Sequence, residues 1–275
     1  MPRPAYVLGH SAFELERLAR QERLIGWITR DYLRAAGLAP GMRVLDVGSG
    51  TGLVAFHAAE LVGPSGQVTG TDLAPAAVAA ANEAAAARGL KQVSFRAGDP
   101  AEMTFEEPFD AVVGRYVLMF QEDAGHMLRQ LAKQVRAGGI IAFHEPDWSF
   151  LRSDAAAPAY DRCCRWIVET FERVGTSTNM SARLRQAFVS AGLGAPMMRL
   201  QAVIGDSVSA AEWLRAVAEL AIVLAPAIEQ QGVATAAEIG AETLADRIFQ
   251  DVAGNRSTIV GRAEIGAWAR VERRS

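Results

Sequence analysis

The sequence predicts an α/β fold, a doubly wound and mostly parallel sheet with helices on both faces. Three observations carry this prediction. Short apolar or β-branched runs alternate with helix-like segments from Arg43 to His144, which is the rhythm of successive strand-helix-strand units. Helix ends are punctuated by Pro75 at a first helical position and by Gly89 and Gly138 just past the ends. Behind the first strand lies "GSGTG", with Gly48, Gly50 and Gly52 at alternate positions, a loop that lets something approach the backbone closely.

Taken in order, Ser11 and Glu14 fit a capping box, and Leu15, Leu18 and Ile25 follow at helical spacing. This predicts a helix over 11–36, stopped by Gly37 and Pro40-Gly41. Next come a strand over 43–47, a helix over 53–62, a strand over 67–71, a helix over 75–88, strands over 93–97 and 109–113, a helix over 124–136 and a strand over 140–144. After Phe150 the rhythm changes. Residues 155–174 and 181–191 read as helices and 197–204 as a strand. Two further helices open on capping boxes, Ser209 with Glu212 and Thr235 with Glu238, and a last strand runs over about 257–271. In "WLRAVAELAIVLAPAI" nearly every helical face is apolar, so that helix is expected to pack on two sides, against the body and against a lid, a ligand or a second subunit. On this basis the chain leans toward a homodimer.

Composition excludes some classes. The 275 residues are 50% apolar and 21% charged with a net charge of −3, so no strong positive field favours nucleic acid or an anionic membrane. Cys163 and Cys164 are adjacent in a predicted helix, cannot easily bridge, and read as reduced structural thiols of a cytoplasmic protein. The first residues lack a signal-peptide core, and the longest apolar stretch, 216–228, contains Glu219 and Pro226 and is too short to span a bilayer.

The glycine loop narrows the ligand. A triphosphate loop needs a lysine before the helix, and "GSGTGL" has none. A dinucleotide fingerprint needs a third glycine where this chain has Leu53. Asp46, closing the strand before the loop, would repel a pyrophosphate and attract an ammonium group. Asp72 ends the second strand and can accept hydrogen bonds from two ribose hydroxyls, and Gly98-Asp99 after the third strand can accept from an exocyclic amine such as that of adenine. Together these describe adenosine carrying a cationic amino acid.

Five ordered stretches, "VLDVGSGTG", "GTDLAP", "AGDPAEM", "FDAVVGRYVLMF" and "VRAGGIIAFHEPDW", resemble the successive motifs of class I S-adenosylmethionine-dependent methyltransferases, in the type 11/25-like subgroup that modifies small molecules. The resemblance covers roughly 40–150. It implies a Rossmann-like, doubly wound seven-stranded sheet, mostly parallel with one antiparallel strand, plus a helical insertion or lid. It divides the chain into an N-terminal helical cap (1–40), a cofactor-binding core (41–150) and a C-terminal part (151–275). That last part completes the sheet by pairing 257–271 with 197–204, with a substrate-side insertion at about 205–255. The implied cofactor is S-adenosylmethionine and the product S-adenosylhomocysteine. Asp46, Gly48, Ser49, Gly50 and Gly52 would surround the methionine part, Asp72 the ribose, and Leu73 the adenine face. Gly98, Asp99, Pro100 and Ala101 would lie beside the adenine, and the backbone of Gly114 and Arg115 would meet the amino group.

Methyl transfer from a sulfonium is an in-line displacement, so alignment and exclusion of water matter most and a base is optional. Candidates for that base stand at the end of the fifth strand in "FHEPDW": His144, Glu145 and Asp147, each of which also reads as a cap or ion-pair partner. Tyr6, Tyr116 and Trp148 are candidate acceptor-binding residues. With Phe150, Trp166, Phe171 and Trp213 they suggest an apolar or aromatic small-molecule acceptor, of the kind met in secondary metabolism. No metal site is expected, and His57 and His126 read as packing or surface residues. Two alternatives stand beside this reading: a protein that binds the cofactor without transferring methyl, and an NAD-dependent oxidoreductase, which Asp46 and Leu53 oppose.

Overall fold

The computed structural model describes residues 12–272, with side chains from Arg17 onward. The chain opens on α1 (Ala12–Ala36), followed by β1 (Arg43–Val47), α2 (Leu53–Val62), β2 (Gln67–Asp72) and α3 (Pro75–Ala87). Then come β3 (Val93–Ala97), β4 (Phe109–Arg115), α4 (Ala124–Leu131), β5 (Val135–Asp147), β6 (Arg152–Ser153) and α5 (Pro158–Arg173). The remainder is α6 (Met180–Ser190), β7 (Met197–Gly205), α7 (Ala211–Gln230), α8 (Ala236–Ile239), α9 (Leu244–Gly254) and β8 (Ile259–Arg270). Contacts divide the chain into two compact units, neither contiguous in sequence: 26–145 with 180–200 and 265–272, and 12–25 with 146–179 and 201–264.

The first unit carries the wound sheet, with strands in the order β3-β2-β1-β4-β5-β8 and β7 also paired to β8. The pairs β1–β2, β2–β3, β1–β4 and β4–β5 are parallel. Val44, Leu45, Asp46 and Val47 are all buried, as expected of a parallel strand covered on both faces. Register places Asp46 opposite both Gly70 and Val113, at the centre of the sheet, and Arg115 opposite His144 at the carboxyl ends of β4 and β5. The alanine run of α3 buries Ala77, Ala81 and Ala85, small residues that let the helix lie close to the sheet.

Two boundaries differ from expectation. The helix predicted over 124–136 ends at Leu131; a 3-10 turn, Ala132–Gln134, leads into a longer β5. Gly138, read from the sequence as a helix stop, lies inside β5 at φ 78°. There the register against β4 jumps from Phe109–Val135 to Ala111–Ile140, a bulge whose left-handed backbone glycine permits.

The second unit is mainly helical. Here β6 pairs antiparallel with the first residues of β8, which brings the sheet to eight strands rather than seven; two residues are too few to show an alternating pattern. Helices α5, α7 and α9 pack on one another around Tyr160, Ile167, Trp213, Leu214, Leu224 and Ile248. The apolar faces of α7 pack against α5 on one side and α9 on another. Cys163 and Cys164 are buried free thiols in this core, and burial pushes Cys163 up to about 12, so it stays protonated at neutral pH.

The capping boxes fare differently. That of Ser11 lies outside the described residues. The Ser209 hydroxyl bonds Asp206 instead of a helix amide, and α7 starts after Ala210 with no side-chain cap. Thr235 and Glu238 form both halves of their box, yet the helix they open is only α8, ended by Gly240 at φ 55°. No helix among the described residues is long and apolar enough to cross a membrane.

Candidate active site

The loop between β1 and α2 is held by its own backbone and by Asp72. Ser49 N donates to Thr71 O at 2.9 Å, and Gly50 N donates to Asp72 Oδ2 at 2.8 Å. Gly48, Gly50 and Gly52 have φ of 63°, 51° and 90°, values that L side chains rarely adopt. A Cβ on Gly48 would come within 2.8 Å of Val117, and one on Gly52 within 2.6 Å of Phe95, whereas one on Gly50 would meet nothing within 4 Å. The first and third glycines therefore serve packing and conformation together, and Gly50 borders open space.

Beneath this loop Asp46 is completely buried, and neither carboxyl oxygen has a hydrogen-bond partner of good geometry among the described residues. Burial raises its pKa from 3.8 to about 8; Arg115 and, after it, the Ala55 amide at the start of α2 pull the other way, and Asp72 adds a small push upward. The Ser49 hydroxyl is likewise buried without a partner.

Asp72 takes the Gly50 amide on one oxygen and the Ala74 amide, at 2.9 Å, on the other. Each carboxylate oxygen has two lone pairs, so these bonds leave acceptor capacity for a pair of hydroxyls. Leu73, next in the chain, is 59% exposed, which leaves its side chain available to flank a flat ring. Gly98 N donates to Asp72 O at 2.9 Å, and Asp99 accepts the Ala101 amide at 3.0 Å, which places the Gly98–Ala101 turn beside the end of β2. Pro100 within that turn is buried.

At the ends of β4 and β5 a second cluster forms. A Cβ on Gly114 would come within 2.6 Å of the Phe143 ring, which explains a glycine there. Arg115 donates to Thr29 Oγ1 at 2.9 Å, and Thr29 Oγ1 also lies 3.0 Å from His144 Nδ1. The buried His144 ring meets Tyr32 and Tyr116 edge-on at 5.2 and 5.6 Å. Tyr116 holds φ 59°, a left-handed backbone outside glycine, and its amide donates to His144 O at 2.9 Å. Thr29 and Tyr32 carry no signal in the sequence, since both sit on a helix more than a hundred residues before the strand they serve.

Glu145, also fully buried, accepts the amides of Val117 and Leu118 on Oε1 at 3.0 and 2.8 Å and that of Met119 on Oε2 at 3.2 Å. It thus caps the 3-10 turn Leu118–Phe120. Asp147 belongs to the second unit and caps the turn Trp148–Phe150, accepting the Ser149 amide at 2.9 Å and its hydroxyl at 2.5 Å. Trp148 is buried in that unit, and Tyr6 lies outside the described residues. Among the described residues no three His, Cys, Asp or Glu side chains group as a metal ion would need. His126 is exposed near the start of α4.

Residues 38–188, more than half of the chain, match the family model described as a methyltransferase domain. Aklanonic acid methyltransferase DauC of Streptomyces sp. (strain C5) is 41% identical over 107 residues, which cover 38% of this chain and 49% of that protein. Nocamycin O-methyltransferase of Saccharothrix syringae is 38% identical over 120 residues, covering 43% of each. The chain spans about half the length of the curated relatives it matches. Among solved structures, that of the cyclase SpnF superposes with a TM-score of 0.54 at 21% identity, over 89% of this chain and 80% of that one, a likeness of fold alone. With the motifs in order on β1 to β5 and the family model matched over those same strands, the chain belongs to the methyltransferase domain family, that of the class I S-adenosylmethionine-dependent methyltransferases.

Proposed function

We propose that the chain transfers a methyl group from S-adenosylmethionine to O, N or C of a small apolar or aromatic molecule, releasing S-adenosylhomocysteine. The observation that carries this reading is Asp46: a buried carboxyl group without a hydrogen-bond partner of good geometry among the described residues, under a left-handed glycine loop, fits a ligand that brings its own cation. When bound, the cofactor supplies a methyl group on a sulfonium.

The chain's own residues do the rest. Asp46 balances the ligand's positive charge, and the Gly48–Gly52 backbone admits its amino-acid part. Asp72 accepts from ribose hydroxyls while anchoring the loop, Leu73 flanks the adenine, and the Gly98–Ala101 turn with Asp99 accepts from its amine. The backbone of Gly114 and Arg115 receives the amino group. Of the strand-end groups, Glu145 and Asp147 are assigned to holding turns and His144 to chemistry. In the tautomer whose Nδ1–H donates to Thr29 Oγ1, Nε2 is the nitrogen able to take the acceptor's proton, a contribution of roughly 10²- to 10⁴-fold in rate. The buried free thiols support a reducing, cytoplasmic setting.

Calorimetric titration with S-adenosylmethionine, S-adenosylhomocysteine and NADH tests the cofactor. Binding of the first two, weakened roughly 30- to 1000-fold in Asp72→Ala by loss of charge-assisted hydrogen bonds, is the expected result. Binding of NADH alone overturns it. Acceptor-dependent formation of S-adenosylhomocysteine then separates methyl transfer from mere cofactor binding.

A further inference from the structure

Tyr116 has a backbone that its own side chain makes costly. Its φ of 59° lies in the left-handed region, where the Cβ of an L residue crowds the following carbonyl. Glycine adopts that region without penalty and supplies most of the positive φ angles here; among the described residues Tyr116 and Arg256 are the exceptions. Strain of this kind persists where surrounding bonds over-determine it, and it gathers at functional sites.

The bonds that hold Tyr116 come from β5. Its amide donates to His144 O at 2.9 Å, and the next three amides, those of Val117, Leu118 and Met119, all end on the buried Glu145 carboxylate. The turn so held rests on the glycine loop, where a Cβ on Gly48 would come within 2.8 Å of Val117.

The Tyr116 ring ends an aromatic row. Centroids are 6.5 Å apart from Trp268 to Tyr32, 5.2 Å from Tyr32 to His144 and 5.6 Å from His144 to Tyr116. The first three rings are buried and Tyr116 is half-buried, so the row comes to the surface at Tyr116, beside the carboxyl ends of β4 and β5. Every one of these residues belongs to the first unit, and ligands of open α/β sheets bind outside the carboxyl ends of the strands. A bulky ring kept there in a strained backbone, next to the glycine loop, serves a ligand better than it serves packing.

We propose that Tyr116 is a specificity-determining residue that stacks on a flat, aromatic methyl acceptor, and that Glu145 is the positioning residue that keeps its ring in place. This deepens the methyl-transfer reading and rests on it for the word acceptor; stacking of a flat ring on Tyr116 is tested apart from it.

The test is a calorimetric titration of the full chain with 2-naphthol and with decahydro-2-naphthol, which has the same skeleton and hydroxyl but is not flat. An aromatic pair is worth roughly two- to tenfold in affinity, and 2-naphthol should bind more tightly by that factor. Tyr116→Phe should keep the preference and Tyr116→Ala should abolish it. Tyr116→Gly and Tyr116→Ala both remove the ring, so their difference reads the strain: the glycine variant should melt about 2–4 °C higher, and equal melting temperatures overturn the strain. Glu145→Gln takes the acceptor from Met119 and should at least halve the preference; Glu145→Asp is read in its place if the glutamine variant does not melt cooperatively. An unchanged preference assigns Glu145 to the fold alone. S-adenosylhomocysteine is titrated separately into each protein. Equal affinity for the two probes, binding of neither, or a preference that survives Tyr116→Ala overturns the role of Tyr116. A preference lost in Tyr116→Ala, in a chain that binds no S-adenosylhomocysteine, upholds the stacking site and sinks methyl transfer.

Discussion

Replacing Asp46 with asparagine keeps the side chain's shape and removes its titration. In the folded chain burial raises the Asp46 pKa from 3.8 to about 8, so the carboxyl group is easier to ionise when the chain unfolds. A raised folded pKa contributes stability that is complete below the unfolded value and is lost as pH rises toward 8. Each pH unit in that window costs about 1.4 kcal/mol, so from pH 5 to pH 7 the native protein should lose about 2.7 kcal/mol that Asp46→Asn does not lose. For a chain of this size that is a relative change in Tm of roughly 5–10 °C, read from melting curves of both proteins at both pH values. The other titrating groups cancel in the difference. The same group gives a binding signature. At pH 7 it is mostly protonated in the free protein, and a cationic ligand favours the carboxylate. Binding of S-adenosylmethionine should therefore release close to one proton, measured by calorimetry in buffers of different ionisation enthalpy, and the variant should release none. Parallel melting curves for the two proteins at pH 5 and 7, within 1 °C, would refute the reasoning by showing that Asp46 is solvated or paired.

Glu145 and His144 separate turn-holding from chemistry. Glu145→Ala leaves three buried amides at 117–119 without their acceptor and should cost about 3 kcal/mol or more, a Tm loss of at least roughly 6 °C; a proton acceptor would instead show an unchanged Tm and a lost kcat. His144→Ala should lower kcat by roughly 10²- to 10⁴-fold while the affinity for S-adenosylmethionine, measured separately, stays within about threefold; unchanged kcat would return His144 to a packing role. Gly52→Ala must place a Cβ 2.6 Å from Phe95 at φ 90°, and should destabilise by about 1–3 kcal/mol, whereas Gly50→Ala carries only the φ penalty, about 1 kcal/mol; equal melting temperatures for the two would contradict the packing described for this loop.

Local signals alone determined much of this protein. The elements β1, α2 and β3 begin and end where the sequence predicts, and β2 and α3 differ by one residue, because apolar runs, Pro75 and the left-handed glycines act within a few residues of themselves. The same locality made Asp46 and Asp72 legible, since each closes a strand directly before a turn. Tertiary structure decided what those local signals leave open. Whether a carboxylate at a strand end moves a proton or holds a turn depends on amides elsewhere in the chain; Glu145 takes its three from 26 to 28 residues earlier. The neighbours of His144 arrive from α1, 115 residues away at Thr29, and the bulge that lengthens β5 depends on its pairing with β4. Tyr32 and Trp268 meet in one aromatic row from opposite ends of the chain, a proximity that no periodicity encodes. A sequence records each residue's conformational preference, but a hydrogen bond or a cavity wall needs two residues in one place, and only the folded chain supplies that.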